Sequence, residues 1–136
     1  MSHAAKIEEY FRRQYETEEG TVEENLAALF ADDLVYRLGD KEVGREALVE
    51  TATKIRNSPK EGRVTAVSDF KEDGDTVTFH LSLHVRGMAG GEDLVLEADN
   101  SWRFNSEGKV VEASPAQTSA VEDAFRAAGV DPDGSS

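Results

Sequence analysis

The spacing of apolar residues changes once along this chain: near residue 63 the 3.6-residue period of a helix gives way to the two-residue period of a strand. Upstream, Ile7, Tyr10, Phe11, Gln14 and Tyr15 recur at helical spacing and predict an amphipathic first helix from about residue 4 to 18, ending near Gly20. Thr21 with Glu24 reads as a capping box that opens a second helix. Val22, Leu26, Leu29 and Phe30 form its buried stripe, and Ala31-Asp32-Asp33 breaks the pattern. Leu34, Tyr36 and Leu38 then alternate with Val35 and Arg37 as a strand up to Gly39-Asp40. A brief return strand at Glu42-Val43 leads into a third helix carrying Ala47, Leu48, Thr51, Ala52 and Ile55, closed by Asn57-Ser58-Pro59.

Downstream of residue 63, three turn signals divide the chain into four strands: Glu72-Asp73-Gly74-Asp75, Met88-Ala89-Gly90-Gly91 and Asn105-Ser106-Glu107-Gly108. The result is a meander of hairpins. Val77, Phe79, Leu81, Leu83 and Val85 form one face of its longest strand, and Thr76, Thr78, His80, Ser82, His84 and Arg86 the other. A last helix, with Ser119 and Glu122 as a second capping box, buries Val121, Ala124, Phe125 and Ala128, and residues 131–136 are expected to fray. Helices first and strands afterwards imply an α+β fold: N-terminal helices packed into a curved, mixed or antiparallel sheet, plus a C-terminal helix. One domain spanning residues 1–136 is expected, since 38% apolar residues can fill a single core.

Composition narrows the function. Lysine and arginine total 15 against 28 acids, a net charge of −13 that repels nucleic acid and anionic membranes. There is no cysteine, which removes thiol catalysis and thiolate metal sites and fits a cytoplasmic location. The first 20 residues are too charged for a signal peptide, and no apolar run approaches the ~20 residues that span a bilayer. His80 and His84 lie on a strand, where ~3.3 Å per residue separates them by roughly 13 Å. Cross-strand pairing with Glu97 and Asp99 therefore explains them better than a metal does. Glycine loops for phosphate and Gly-x-Ser-x-Gly elbows are absent, so no cofactor and no metal are indicated.

One residue breaks the core pattern. Leu94, Leu96, Ala98, Trp102 and Phe104 share the parity of Asn100, so the pleat turns this amide toward whatever those residues enclose. Left unpaired there it would cost ~1–3 kcal/mol, so it is either hydrogen-bonded or lines a pocket. Asp99, beside it, faces the opposite way unless a bulge intervenes.

The ordered pieces Leu29-Phe30-Ala31-Asp32-Asp33, Val35-Tyr36-Arg37-Leu38, Gly44-Arg45-Glu46-Ala47-Leu48, Asp73-Gly74-Asp75 and Trp102-Arg103-Phe104 before Glu107-Gly108-Lys109-Val110-Val111-Glu112 resemble the nuclear-transport-factor-2-like superfamily. Within it, the chain looks most like SnoaL-like polyketide cyclases and ketosteroid isomerases. The resemblance implies a cone whose open end admits a small apolar ligand between sheet and helices, and a homodimer through the outer sheet face. It also sets Asn100 where those enzymes carry a pocket aspartate, and Leu38 where the isomerases keep their proton-shuttling aspartate. An amide does not titrate, though its NH2 can hydrogen-bond a carbonyl or oxyanion, and a leucine offers no base.

The expected site therefore has Asn100 and Tyr36 as the groups that orient a carbonyl, lined by Tyr10, Tyr15, Leu38, Phe79, Leu81, Trp102 and Glu112. The phase of the last strand at Val110-Val111 leaves open whether Glu112 points in or out. Two functions fit: a cofactor-independent cyclase or isomerase acting on a polyketide-, steroid- or terpenoid-like molecule, or a non-catalytic ligand-binding or association module.

Overall fold

The computed structural model describes residues 2–88 and 93–131. Helix α1 (His3–Phe11) opens at Ser2, whose hydroxyl accepts the Ala5 N–H, and buries Ile7, Tyr10 and Phe11. The apolar stripe runs on through Gln14 and Tyr15 as expected, but the helix does not continue unchanged to residue 18. From Arg12 to Glu16 it widens into a π-helical turn. The Arg56 guanidinium ties that turn and the loop after it from outside, donating to the carbonyls of Gln14 (2.8 Å), Gly20 (2.7 Å) and Arg13 (3.1 Å).

Helix α2 (Val22–Leu29) has the capping box read from the sequence: the Thr21 hydroxyl accepts the Glu24 N–H and the Glu24 carboxylate accepts the Thr21 N–H, both at 3.0 Å. Strand β1 (Phe30–Leu38) begins earlier than expected. Phe30 pairs in parallel with Val110, and an irregularity between Phe30 and Val35 accommodates exposed Asp32 and Asp33, so the segment taken as a break belongs to the strand. Strand β2 (Lys41–Val43) returns antiparallel, and α3 (Arg45–Arg56) follows, burying Ala52 and Ile55.

The meander consists of β3 (Arg63–Asp73), β4 (Thr76–Val85), β5 (Leu94–Phe104) and β6 (Val110–Pro115), antiparallel throughout. Parallel pairing of β1 with β6 joins it to the first hairpin, giving one six-stranded mixed sheet in the order β2-β1-β6-β5-β4-β3. The edge strand β3 shifts register between Ser68 and Lys71, where Asp69 adopts a positive φ of 58°, and such a bulge discourages pairing with further strands. Three residues of the expected Met88-Ala89-Gly90-Gly91 turn, and residues 132–136 of the expected frayed tail, lie outside the described residues.

Helix α4 (Thr118–Ala127) lacks the capping box expected of Ser119 and Glu122. The N-cap is Gln117, two residues earlier, and its side chain is committed elsewhere: Oε1 accepts the Asp99 N–H at 2.7 Å and Nε2 donates to Asp99 Oδ2 at 3.3 Å. Glu122 instead pairs with Lys41 at 3.0 Å and Arg126 at 3.2 Å. All four helices contribute to one apolar core against the inner sheet face, with Trp102 at its centre, edge-on to Phe79 and Phe30 at 4.9 and 5.2 Å between centroids.

Candidate functional site

Strands β1 and β5 bring Tyr36 and Asn100 together inside the sheet. The Tyr36 hydroxyl donates to Asn100 Oδ1 at 2.8 Å, and Asn100 Nδ2 donates to the Ala98 carbonyl at 3.3 Å. Asn100 is only 2% exposed, so the amide on the core face is accounted for by hydrogen bonding. Its principal partner, however, faces an interior space. Beside Tyr36 lies a cavity of about 70 Å³, walled on the helical side by Tyr10, Phe11 and Tyr15 and on the sheet side by Leu81, Leu83, Leu96 and Trp102. Val121, Ala124 and Phe125 of α4 close it together with Leu48 of α3. Larger depressions of about 460 and 560 Å³ are grooves between charged residues, among them Glu8, Glu9 and Arg12 in the first and Asp32, Glu42 and Glu50 in the second.

The polar groups of the cavity wall are uncharged. Burial pushes the Tyr10 hydroxyl up to about 12 and raises Tyr15 and Tyr36 well above the ordinary tyrosine value, because a phenolate in an apolar surround loses its hydration. All three are protonated donors at neutral pH. The Trp102 indole favours the Tyr36 phenolate slightly, but its N–H completes no hydrogen bond. No carboxylate, histidine, lysine or arginine lines the cavity among the described residues.

Of the residues expected at the site, Tyr10, Tyr15, Tyr36, Leu81 and Trp102 border the cavity and Asn100 stands behind Tyr36. Leu38 and Phe79 are buried in the core without reaching it, Phe79 being stacked on Phe70 at 5.6 Å. Glu112 requires correction. Opposite Val35 and Arg103 in register, it points to the outer face, where Arg37 binds it at 2.8 Å and holds its carboxyl below the usual range. The enclosure by α4 was not foreseen. Its apolar stripe is visible in the sequence, but nothing there says which part of the sheet the stripe covers.

On the outer face His80 bridges Glu97 and Asp99, both at 2.9 Å, and His84 binds Glu97 at 2.6 Å, as the cross-strand expectation required. Among the described residues no group of three or more histidines and acids is arranged to hold a metal. Asp99 is exposed and β5 carries no bulge at that position.

Helices packed into a six-stranded mixed sheet around an apolar cavity make the cone-shaped α+β fold of NTF2-like proteins, and solved structures of that class match along most of the chain. More narrowly, the chain belongs to the SnoaL-like domain family, whose model matches residues 7–113. Rv0760c from Mycobacterium tuberculosis, in complex with estradiol-17beta-hemisuccinate, is similar with a TM-score of 0.62 and 17% identity over 84% of this chain and 92% of that one. The epoxide hydrolase/cyclase-like enzyme SalBIII, from pyran ring formation in the polyether salinomycin, gives a TM-score of 0.59 and 20% identity over 83% and 88%. A de novo designed NTF2 fold protein, NT-9, gives 0.59 and 14% over 93% and 97%. Comparison with curated proteins by sequence found no match.

Proposed function

We propose that this protein binds a small, uncharged apolar molecule between sheet and helices, in the cavity bordered by Tyr10, Tyr15, Tyr36, Leu81 and Trp102. The observation that carries the reading is an interior apolar space whose polar groups, among the described residues, are neutral donors. A steroid, polyketide or terpenoid is the guest class that the similar proteins suggest. At about 70 Å³ the cavity is smaller than the ~150 Å³ that takes benzene in an engineered core, so such a guest must displace side chains of α4 on entry.

Binding without chemistry is favoured over isomerisation, because abstraction of a proton next to a carbonyl needs a base in hydrogen-bond reach and the wall offers none among the described residues. If a cyclisation or isomerisation occurs here, Tyr36 held by Asn100 supplies its hydrogen bonds. Self-association through the outer sheet face is part of the proposal, supported by exposed Val64 and Val95 (62% and 57%) in line with His84, and sedimentation would measure it. A cytoplasmic setting agrees with the lack of cysteine.

The direct test is titration with a neutral steroid while following the fluorescence of the single tryptophan, Trp102, which lies in the cavity wall. Saturable change is expected. No change with the steroid or with smaller cyclic ketones would overturn the reading.

A further inference from the structure

If the cavity takes a guest as proposed, one of its walls has to move, and the walls are held with unequal strength. The sheet wall is a continuous ladder in which every residue of β4 pairs with one of β5, from Thr76 with Arg103 to Val85 with Leu94. The α1 wall is tied along its length: the Ala4 N–H donates to Glu72 and the Lys6 ammonium to the Gly108 carbonyl, both at 3.2 Å, and Arg56 holds the carbonyls of Arg13 and Gln14. Helix α3, which contributes Leu48, is fixed at one end by Arg45 on the Phe30 carbonyl (3.3 Å) and at the other by Arg56.

Helix α4 is held mainly at its base. There the Ala116 N–H donates to the Asp99 carbonyl at 2.8 Å, Gln117 makes both of its side-chain bonds to Asp99, and Asp99 is itself fixed by His80. Further along, Glu122 joins the helix to β2 through Lys41 at 3.0 Å, whereas its other partner, Arg126, belongs to α4 itself. A partly solvated pair of this kind contributes little. The underside, Val121, Ala124 and Phe125, lies over the void and so lacks part of the dispersion contact of a fully packed helix. After Gly129, buried Val130 borders a groove with Leu34 and Val43.

We propose that α4 is the lid of the cavity, pivoting on Ala116-Gln117 with the Lys41–Glu122 pair as its latch. The guest enters beneath Val121, Ala124 and Phe125, and closure over it restores the apolar contact that the void withholds. The lid's purpose rests on the binding reading, but its opening does not, so the two are tested separately.

The test is native-state hydrogen exchange on the full chain, first without a guest. A ten-residue helix does not persist undocked in water, so opening of the lid exposes its amides. Those from Glu122 to Ala128 should share one opening equilibrium and exchange on the order of 100-fold faster than the central amides of β4 and β5, and faster than those of Tyr10 and Phe11. Glu122→Gln, which keeps the side-chain size and removes the charge of the latch, should speed exchange in α4 about threefold and leave β4, β5 and α1 unchanged. Protection equal to that of β4, or rates that climb residue by residue toward Ala128 as in a fraying helix end, overturn the lid. So does a Glu122→Gln variant that exchanges as the unaltered protein does or faster in every element alike. Should that variant not fold, the pattern of the unaltered protein decides. Progesterone at ten times its Kd should then slow exchange of the α4 amides about tenfold. Binding by a protein whose α4 does not open as a unit overturns the lid alone. Cooperative opening that neither progesterone nor cyclopentanone slows overturns the binding reading, and the purpose of the lid with it.

Discussion

Tyr36→Phe removes a single oxygen atom and leaves the ring that α4 packs against. That oxygen donates to Asn100 Oδ1 at 2.8 Å between residues 5% and 2% exposed, so its loss strands a buried acceptor. The expected cost is ~1–3 kcal/mol, the desolvation penalty of an unpaired polar group. Asn100→Leu strands the Tyr36 hydroxyl and should cost a similar amount. Combining the two removes donor and acceptor together and leaves apolar groups of similar size, so the double variant should be no less stable than either single one. The thermodynamic cycle should therefore yield a coupling of ~1–3 kcal/mol. Urea unfolding followed by far-UV circular dichroism measures it: with a slope of ~1–3 kcal/mol/M, a loss of about 2 kcal/mol moves the midpoint by roughly 1 M. A double variant destabilised by the sum of the two singles would show that Tyr36 and Asn100 are not a closed hydrogen-bonded unit, and the description of the cavity wall would have to be withdrawn.

Ala124→Leu fills the cavity from α4, so it should raise stability by ~0.5–2 kcal/mol and weaken steroid or ketone binding at least tenfold; a filled variant that still binds would place the guest elsewhere. On the outer face, hydrogen bonds to Glu97 and Asp99 raise His80, whose contribution is complete below about pH 6.5 and lost as pH rises through the raised value, while Ser82, His80 and His84 hold Glu97 down to about 2, a contribution complete above about pH 4.5 and lost toward pH 2. The stability difference between the unaltered protein and His80→Gln should thus be largest between those two limits and shrink above neutrality, and a constant difference from about pH 5 to 9 would contradict the pairing. Thr21→Ala removes one half of the α2 capping box and should cost ~1 kcal/mol, with Thr21→Ser close to neutral; equal losses from both would mean that the cap is not what the hydroxyl supplies.

Local patterns were legible where a residue's role depends on its immediate neighbours. The pleat alone placed Asn100 inward and Glu97 and Asp99 outward, because period two admits no third choice once Leu94, Leu96 and Phe104 are inside. Thr21 with Glu24 announced its helix because both halves of the cap lie within one turn. Features that depend on distant segments were hidden. The π-helical turn at Arg12–Glu16 is tied by Arg56 from α3, and β1 begins at Phe30 because Val110, 80 positions on, pairs with it. Ser119 looked like a cap because Gln117 gave no sign that its amide would be taken by Asp99. The direction of Glu112 turned on the register of β6 between β1 and β5, which Val110-Val111 could not set by themselves.

The distribution of charge agrees with the proposed binding of a neutral guest. The chain carries 28 acids, yet among the described residues none borders the interior space, and the ion pairs of Glu97, Asp99 and Glu112 lie on the outer face. At position 100 a carboxylate would face burial without a cation, and it would be pushed toward its neutral form or require the Tyr36 proton as compensation. The amide presents an acceptor to the same hydroxyl and carries no charge to desolvate. Fixing the Tyr36 proton on Asn100 in this way leaves the Tyr36 oxygen as an acceptor only. An amide at position 100 thus leaves the cavity wall, among the described residues, without a titrating carboxylate, which agrees with the proposed binding of a neutral guest without proton abstraction.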